Sequence, residues 1–157
     1  MGVEIERKFL VDHPKWEEVD KPGGTHYRQG YILANSGRTV RVRVSDTKAF
    51  LNLKSKSGSS NTSRAEYEYE IPLAEGLEIL EKFTRSGTEK IRYEIPFAGK
   101  VWEVDVFSGD NEGLIVAEIE LESEDEPFEK PDWVTIEVTD DGRYTNAALS
   151  KHPFKDW

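Results

Sequence analysis

Glu4, Glu6 and Lys8 alternate along residues 3–10, which read Val-Glu-Ile-Glu-Arg-Lys-Phe-Leu. On a strand, alternate side chains share a face. These two carboxylates and one ammonium therefore project together, with Val3, Ile5, Phe9 and Val11 on the other side. Carboxylates placed this way can share a hard cation such as Mg²⁺, which takes oxygen ligands. A lysine beside them can hold an anion that the cation also touches. The alternation recurs down the chain. Arg41 and Arg43 oppose Val40, Val42 and Val44; Asn52 and Lys54 oppose Leu51 and Leu53. Arg64, Glu66, Glu68 and Glu70 oppose Ala65, Tyr67, Tyr69 and Ile71, and Lys90, Arg92 and Glu94 oppose Ile91, Tyr93 and Ile95. Glu103 and Asp105 oppose Trp102, Val104 and Val106, and Glu118, Glu120 and Glu122 oppose Ala117, Ile119 and Leu121.

The charges are sorted by segment rather than mixed. Basic residues dominate the segments around 41, 54 and 90, and acidic residues those around 4, 66, 103 and 118. Like charges two residues apart on one face repel, and ligands of opposite sign remove that cost. One arrangement is a sheet closed into a barrel, with an acidic wall for metal and a basic wall for a polyanion. A one-sided sheet with a wet, charged face satisfies the same alternation. The chemistry that fits the first arrangement is cleavage of a phosphoanhydride. Arginine and lysine neutralise the nonbridging phosphoryl oxygens, and a carboxylate-held divalent ion bridges them and positions water. No serine, histidine or cysteine constellation competes, and no Gly-rich phosphate loop is present.

The elements that must position these residues are legible from periodicity. Strands are expected at 3–10, 27–34, 39–45, 49–56, 64–71, 89–95, 100–107 and 114–122, with residues 133–139 a short strand or an irregular segment. Pro14, Pro22, Gly23 and Gly24 make 13–24 a linker holding one helical turn. Residues 57–63 are small and polar and read as a mobile loop. Pro72 opens a helix that Gly87 ends, with Leu73, Leu77 and Leu80, joined by Ile79 or Phe83, as its apolar stripe. Residues 124–131 form an acidic loop and 142–151 a final short helix.

At 157 residues the chain suits one domain, 1–157. Charged residues make up 33% and hydrophobic ones 36%, and four Trp, six Tyr and seven Phe argue against disorder. A net charge of −10 argues against nucleic-acid binding and against docking on anionic lipid. There is no cysteine, hence no disulfide and no thiolate nucleophile. The acidic start is unlike a signal peptide, and no run approaches the about 20 apolar residues of a membrane span. A cytoplasmic protein is expected.

Glu4-Ile5-Glu6-Arg7-Lys8 resembles the ExExK signature of the CYTH superfamily, the triphosphate tunnel metalloenzymes. The resemblance continues in the family's order through Arg41-Val42-Arg43, Lys54, Arg64-x-Glu66-x-Glu68, Lys90-x-Arg92-Tyr93, Glu103-Val104-Asp105 and Glu118-x-Glu120. The stretch from Val138-Thr139 through Arg143-Tyr144-x-Asn146 is similar to short bacterial members. The resemblance implies a mainly β fold, an eight-stranded antiparallel closed β-barrel with a few peripheral helices. It implies a triphosphate held with Mg²⁺ or Mn²⁺. Carried over by position, it makes Glu4, Glu6, Asp105, Glu118 and Glu120 metal ligands. Lys8, Arg41, Arg43, Lys54, Lys90 and Arg92 hold phosphates, and Lys8, Glu66 and Glu68 serve catalysis. The activity implied is hydrolysis of inorganic tripolyphosphate to pyrophosphate and phosphate. Alternatives within the family are a nucleotide or thiamine triphosphatase and a class IV adenylyl cyclase. The cyclase is disfavoured because the His-Phe pair some cyclases carry ahead of ExExK is missing. Outside the family's enzymes stands a noncatalytic polyphosphate-binding module. The outward apolar face, including Val40, Val42, Val44, Tyr67, Tyr69, Ile91 and Tyr93, needs cover, which helices or a homodimer would supply.

Overall fold

A computed structural model describes residues 2–35, 37–56, 63–84 and 86–157; at residues 2–4, 56, 63 and 64 it describes the backbone alone. The order of elements is β1 (Gly2–Val11), α1 (His13–Glu17), β2 (Thr25–Ala34), β3 (Arg38–Val44), β4 (Ala49–Lys56), β5 (Ser63–Ile71), α2 (Leu73–Phe83), β6 (Gly87–Phe97), β7 (Lys100–Ser108), β8 (Ile115–Glu120), β9 (Val134–Glu137) and α3 (Asn146–Lys151). The strand order is β5-β4-β3-β2-β6-β7-β8-β1-β9, and β5 also pairs with β1. That last pairing, from Gly2↔Glu66 to Ile5↔Ser63, closes β1 to β8 into a ring of antiparallel strands. The barrel is therefore the expected one, and β9 is added outside the ring. It docks on the lower half of β1 at Phe9↔Glu137 and Val11↔Val134. Arg7 fastens it, donating to both carboxylate oxygens of Glu137 at 2.8 and 2.5 Å.

Polar side chains fill the barrel, so the main hydrophobic core lies outside it. Phe9, Ile95, Trp102, Val104, Ala117 and Ile119 point outward from β1, β6, β7 and β8 and are buried. Their cover comes from α1 and from the chain around β9. Asp12 caps α1 by accepting from the Lys15 N–H at 3.0 Å, and the single turn buries Trp16. Trp16 meets Trp133 and Tyr93 edge-on at 5.3 and 5.6 Å, and Trp102 meets Phe9 at 5.5 Å.

On the opposite side α2 covers Val42, Val44 and Ala49 with Leu73, Ile79 and Leu80. This corrects the expected stripe: Leu77 is 40% and Phe83 62% exposed. The reason is Gly76, whose position presses on Ala49 so closely that an added Cβ would stand 2.2 Å from the Ala49 Cβ. The helix is rotated to put that glycine against the sheet. It also ends earlier than expected, at Phe83, and Gly87 begins β6 instead. Likewise β8 stops at Glu120, so Glu122 leaves the sheet and its N–H donates to Glu126 at 2.6 Å. Leu53, Tyr67 and Tyr69 stay exposed beyond the reach of α2. The expected loop at 57–63 lies outside the described residues, except for Ser63 at the start of β5.

One end of the barrel is sealed. Leu10, Phe107 and Val116 stand at the inner ends of β1, β7 and β8, and with Leu114 they pack on Leu149 of α3, with Tyr144 and Phe154 around it. Thr145 caps α3 by accepting from the Ala148 N–H at 3.1 Å.

Candidate active site

The strands that the sequence sorts by charge are neighbours in space. The mainly acidic strands β7, β8, β1 and β5 form one continuous arc of the ring, and β4, β3, β2 and β6 form the other. Between them is a cavity of about 180 Å³ lined wholly by polar side chains. Glu6, Glu66, Glu68, Glu103, Glu118 and Glu120 line it on one side, and Arg41, Arg43, Lys54 and Arg92 on the other. No aromatic ring is among its lining residues.

On the basic side, Arg41 and Arg43 are held by burial rather than by close ion pairs. Among the described residues their nearest carboxylate is Glu68, at 3.8 and 3.5 Å, beyond good hydrogen-bond range. The Nε atoms of both are buried without a hydrogen-bond partner. The Arg43 guanidinium lies 4.7 Å above the Tyr27 ring and 5.7 Å from that of Phe50. Burial, then Arg41 and Arg92 nearby, lowers the pKa of Arg43 from its ordinary value. Crowded, underpaired guanidinium groups favour an anion among them. Lys54 stands 3.8 Å from Glu66, its register partner across β4 and β5.

On the acidic side, like charges face each other across the ladders. Glu6 is paired with Glu120, and Glu103 with both Glu118 and Glu94. Burial, then Glu6, pushes the Glu118 carboxyl up. Burial, then Glu103 and Glu66, pushes up that of Glu120. Among the described residues no group of three acidic or imidazole side chains is already gathered closely enough to hold a metal ion. The donor set nonetheless fits a hard divalent cation: it is all carboxylate oxygen, and its mutual repulsion is what such a cation relieves. The side chain of Glu4 lies outside the described residues.

Below the cavity, toward the sealed end, Asp105, Lys90 and Arg92 form a buried cluster. Lys90 donates to Asp105 at 2.7 Å, and Arg92 donates to both Asp105 oxygens at 2.7 and 2.9 Å. Burial works against the Asp105 carboxylate, but Arg92 and Lys90 outweigh it and hold its pKa well below the usual range. Burial pulls Lys90 down to about 8 even though Asp105 opposes it. Lys90 and Asp105 do not line the cavity, so the structure separates them from the other expected site residues. Asp105, expected as a metal ligand, has its oxygens turned to its two cations instead. Lys8 lines the adjoining space, and its ammonium donates to the Tyr144 carbonyl at 3.3 Å.

Two residues of the site escaped the sequence analysis. Asn52 is 1% exposed and donates to Glu66 at 2.9 Å and Glu68 at 3.1 Å, fixing both acidic side chains. Its place in register with Lys54 was the available signal. Asn146, from the chain just before α3, reaches the cavity from the C-terminal side. It belongs to the 138–146 stretch that resembles short bacterial proteins.

A closed antiparallel barrel with cationic and carboxylate arcs around a polar cavity is the architecture of a tunnel for a polyanion and a metal. The CYTH domain model matches residues 2–151, and the chain belongs to the CYTH family. It is 49% identical to an inorganic triphosphatase of Acetivibrio thermocellus, over 100% of this chain and 99% of that protein. It is 40% identical to an inorganic triphosphatase of Nitrosomonas europaea, over 94% of this chain and 96% of the relative. Among solved structures, the crystal structure of an inorganic triphosphatase superposes with a TM-score of 0.63 at 34% identity, covering 94% of this chain and 93% of the other. A conserved hypothetical protein from Pyrococcus furiosus, at 18% identity and a TM-score of 0.61, shares the fold. Among the described residues no helix is long and apolar enough to cross a membrane.

Proposed function

We propose that this protein hydrolyses inorganic tripolyphosphate to pyrophosphate and orthophosphate in the barrel, with Mg²⁺ or Mn²⁺ bound. The observation that carries the reading is the pair of opposed walls around one cavity, with Arg41 and Arg43 making no close carboxylate pair among the described residues, opposite a self-repelling set of carboxylates. The relatives named inorganic triphosphatase support it.

Glu6, Glu118 and Glu120, with Glu4, are the residues to hold the metal. Bound there, a divalent ion supplies Lewis-acid neutralisation of phosphate oxygens. Arg41, Arg43, Lys54, Lys8 and Arg92 bind the remaining phosphate charge and fix the chain along the tunnel. Asp105 keeps Arg92 and Lys90 charged and aimed, a positioning role. Glu66 and Glu68, oriented by Asn52, are placed to accept a proton from the attacking water.

Tripolyphosphate is favoured over nucleotides and thiamine triphosphate because the cavity offers no aromatic surface for a base or a thiazole to stack on. Phosphate release should be compared for tripolyphosphate, ATP and thiamine triphosphate. The expected kcat/KM is highest for tripolyphosphate by about ten-fold or more. ATP consumption without phosphate release, with a cyclic nucleotide formed, would point to the cyclase instead. No turnover of any of the three, with tripolyphosphate still raising the melting temperature, would point to a binding module.

A further inference from the structure

Behind the tunnel two more spaces follow in series. The first, about 40 Å³, shares Glu6, Arg41, Lys54 and Asn146 with the tunnel cavity. The second, about 500 Å³, shares Thr39, Lys54, Thr145 and Ala147 with the first. Lys54 lines all three.

The large rear chamber lies between the β2–β3 connection, the end of β4 and residues 139–151. Its charged lining is Arg38, Lys54 and Lys151 against the single carboxylate of Asp140. That excess of cations stands out on a chain of net charge −10. Among the described residues no ion pair engages Arg38 or Lys151, and the Lys151 ammonium donates only to the Ala34 carbonyl, at 2.6 Å. Thr39 and Ser55 add hydroxyl-bearing side chains to the lining. The 40 Å³ link has room for a few waters at most, so an anion reaches the chamber from solvent rather than through the tunnel.

We propose that the rear chamber is a second anion site that takes inorganic orthophosphate and weakens the tunnel's hold on its substrate through Lys54. The proposal rests on the triphosphatase reading, in which each turnover of tripolyphosphate and water yields pyrophosphate and orthophosphate. A compact tetrahedral oxyanion matches the chamber's cations and hydroxyls. Its site is separate from the triphosphate's, yet the two share one ammonium. Orthophosphate then binds while substrate is bound, and product inhibition is mixed rather than purely competitive.

The test uses orthophosphate itself, in two arms. In steady-state assays, orthophosphate should lower kcat as well as raise KM for tripolyphosphate. In calorimetry, it is titrated into protein whose tunnel is filled with tripolyphosphate in EDTA, and binding should be retained. Arg38→Glu should weaken that binding by about ten-fold while leaving the KM for tripolyphosphate within about two-fold. Lys151→Glu is the second variant and should do the same. Purely competitive inhibition of the wild type, or titrations unchanged in both variants, would overturn the proposal. If the wild type turns over no tripolyphosphate, the hydrolysis reading fails and the titration alone decides the rear site.

Discussion

Asp105 shows how much one side chain organises. Its carboxylate is 1% exposed and is the common acceptor for Lys90 and Arg92. Removing one partner of a buried ionic cluster costs about 3–5 kcal/mol because the others are left uncompensated. Asp105→Asn should therefore lose stability on that scale in chemical denaturation. The sign of its pH dependence follows from its lowered pKa. The stabilisation is present above the ordinary value of 3.8 and is lost as pH falls below it. The wild type should lose more stability than Asp105→Asn on acidification through that range. Glu118 runs the other way. Its pKa is raised above 4.5 by burial and Glu6, so the folded state holds the extra proton. Without metal, stability should fall as pH rises from 4.5 into the raised range. With saturating Mg²⁺ that fall should shrink or vanish, because a bound cation favours the ionised carboxylates. Melting curves against pH, with Mg²⁺ or EDTA, check this; identical slopes in the two series would argue against a cation on the acidic wall.

Among the elements, the strands were legible and the helix faces less so. A period-two alternation of charge and bulk is specific when every strand has one polar and one apolar face, which is why the placements of β3, β4, β5 and β7 survive within a residue or two. The orientation of α2 was not legible. Its leucines offer two overlapping stripes, and the choice between them is made by a contact with β4 that no helical periodicity contains. Gly76 makes that contact, against Ala49. Gly76→Ala removes the roughly 1 kcal/mol penalty of a helical glycine but forces two methyl groups together. Overpacking of this kind costs about 1–3 kcal/mol, so denaturation should show a net loss of stability. Asn52 and Asn146 were missed for a related reason: an amide carries no charge pattern, and only the closed barrel shows that each reaches the acidic or basic groups.

At the level of the whole molecule, closure is what turns a charged sheet into a site. The β1–β5 pairing joins segments some sixty residues apart in sequence. Nothing local in the chain encodes it, and the alternation alone allowed an open sheet. Once the ring closes, the sorted strands become two facing walls, and the charge segregation visible in the sequence acquires its function. The inside-out arrangement follows: polar groups take the interior, the aromatic core around Trp102 and Trp16 moves outside, and Leu149 seals one end. Glu6 of β1 and Glu120 of β8 thus meet across one ladder, whereas Asp105 falls to the sealed side, a separation that depends on depth along the barrel and not on spacing in the chain.

Metal-dependent hydrolysis in the barrel is tested by phosphate release from tripolyphosphate by the wild type and by Glu6→Gln, each with Mg²⁺, with Mn²⁺ and with EDTA. The wild type should release phosphate rapidly with metal and not in EDTA, and the variant should lose about 10²-fold or more in rate while its melting temperature shows a folded barrel. Undiminished release by a folded Glu6→Gln, or by the wild type in EDTA, would contradict metal-dependent hydrolysis there.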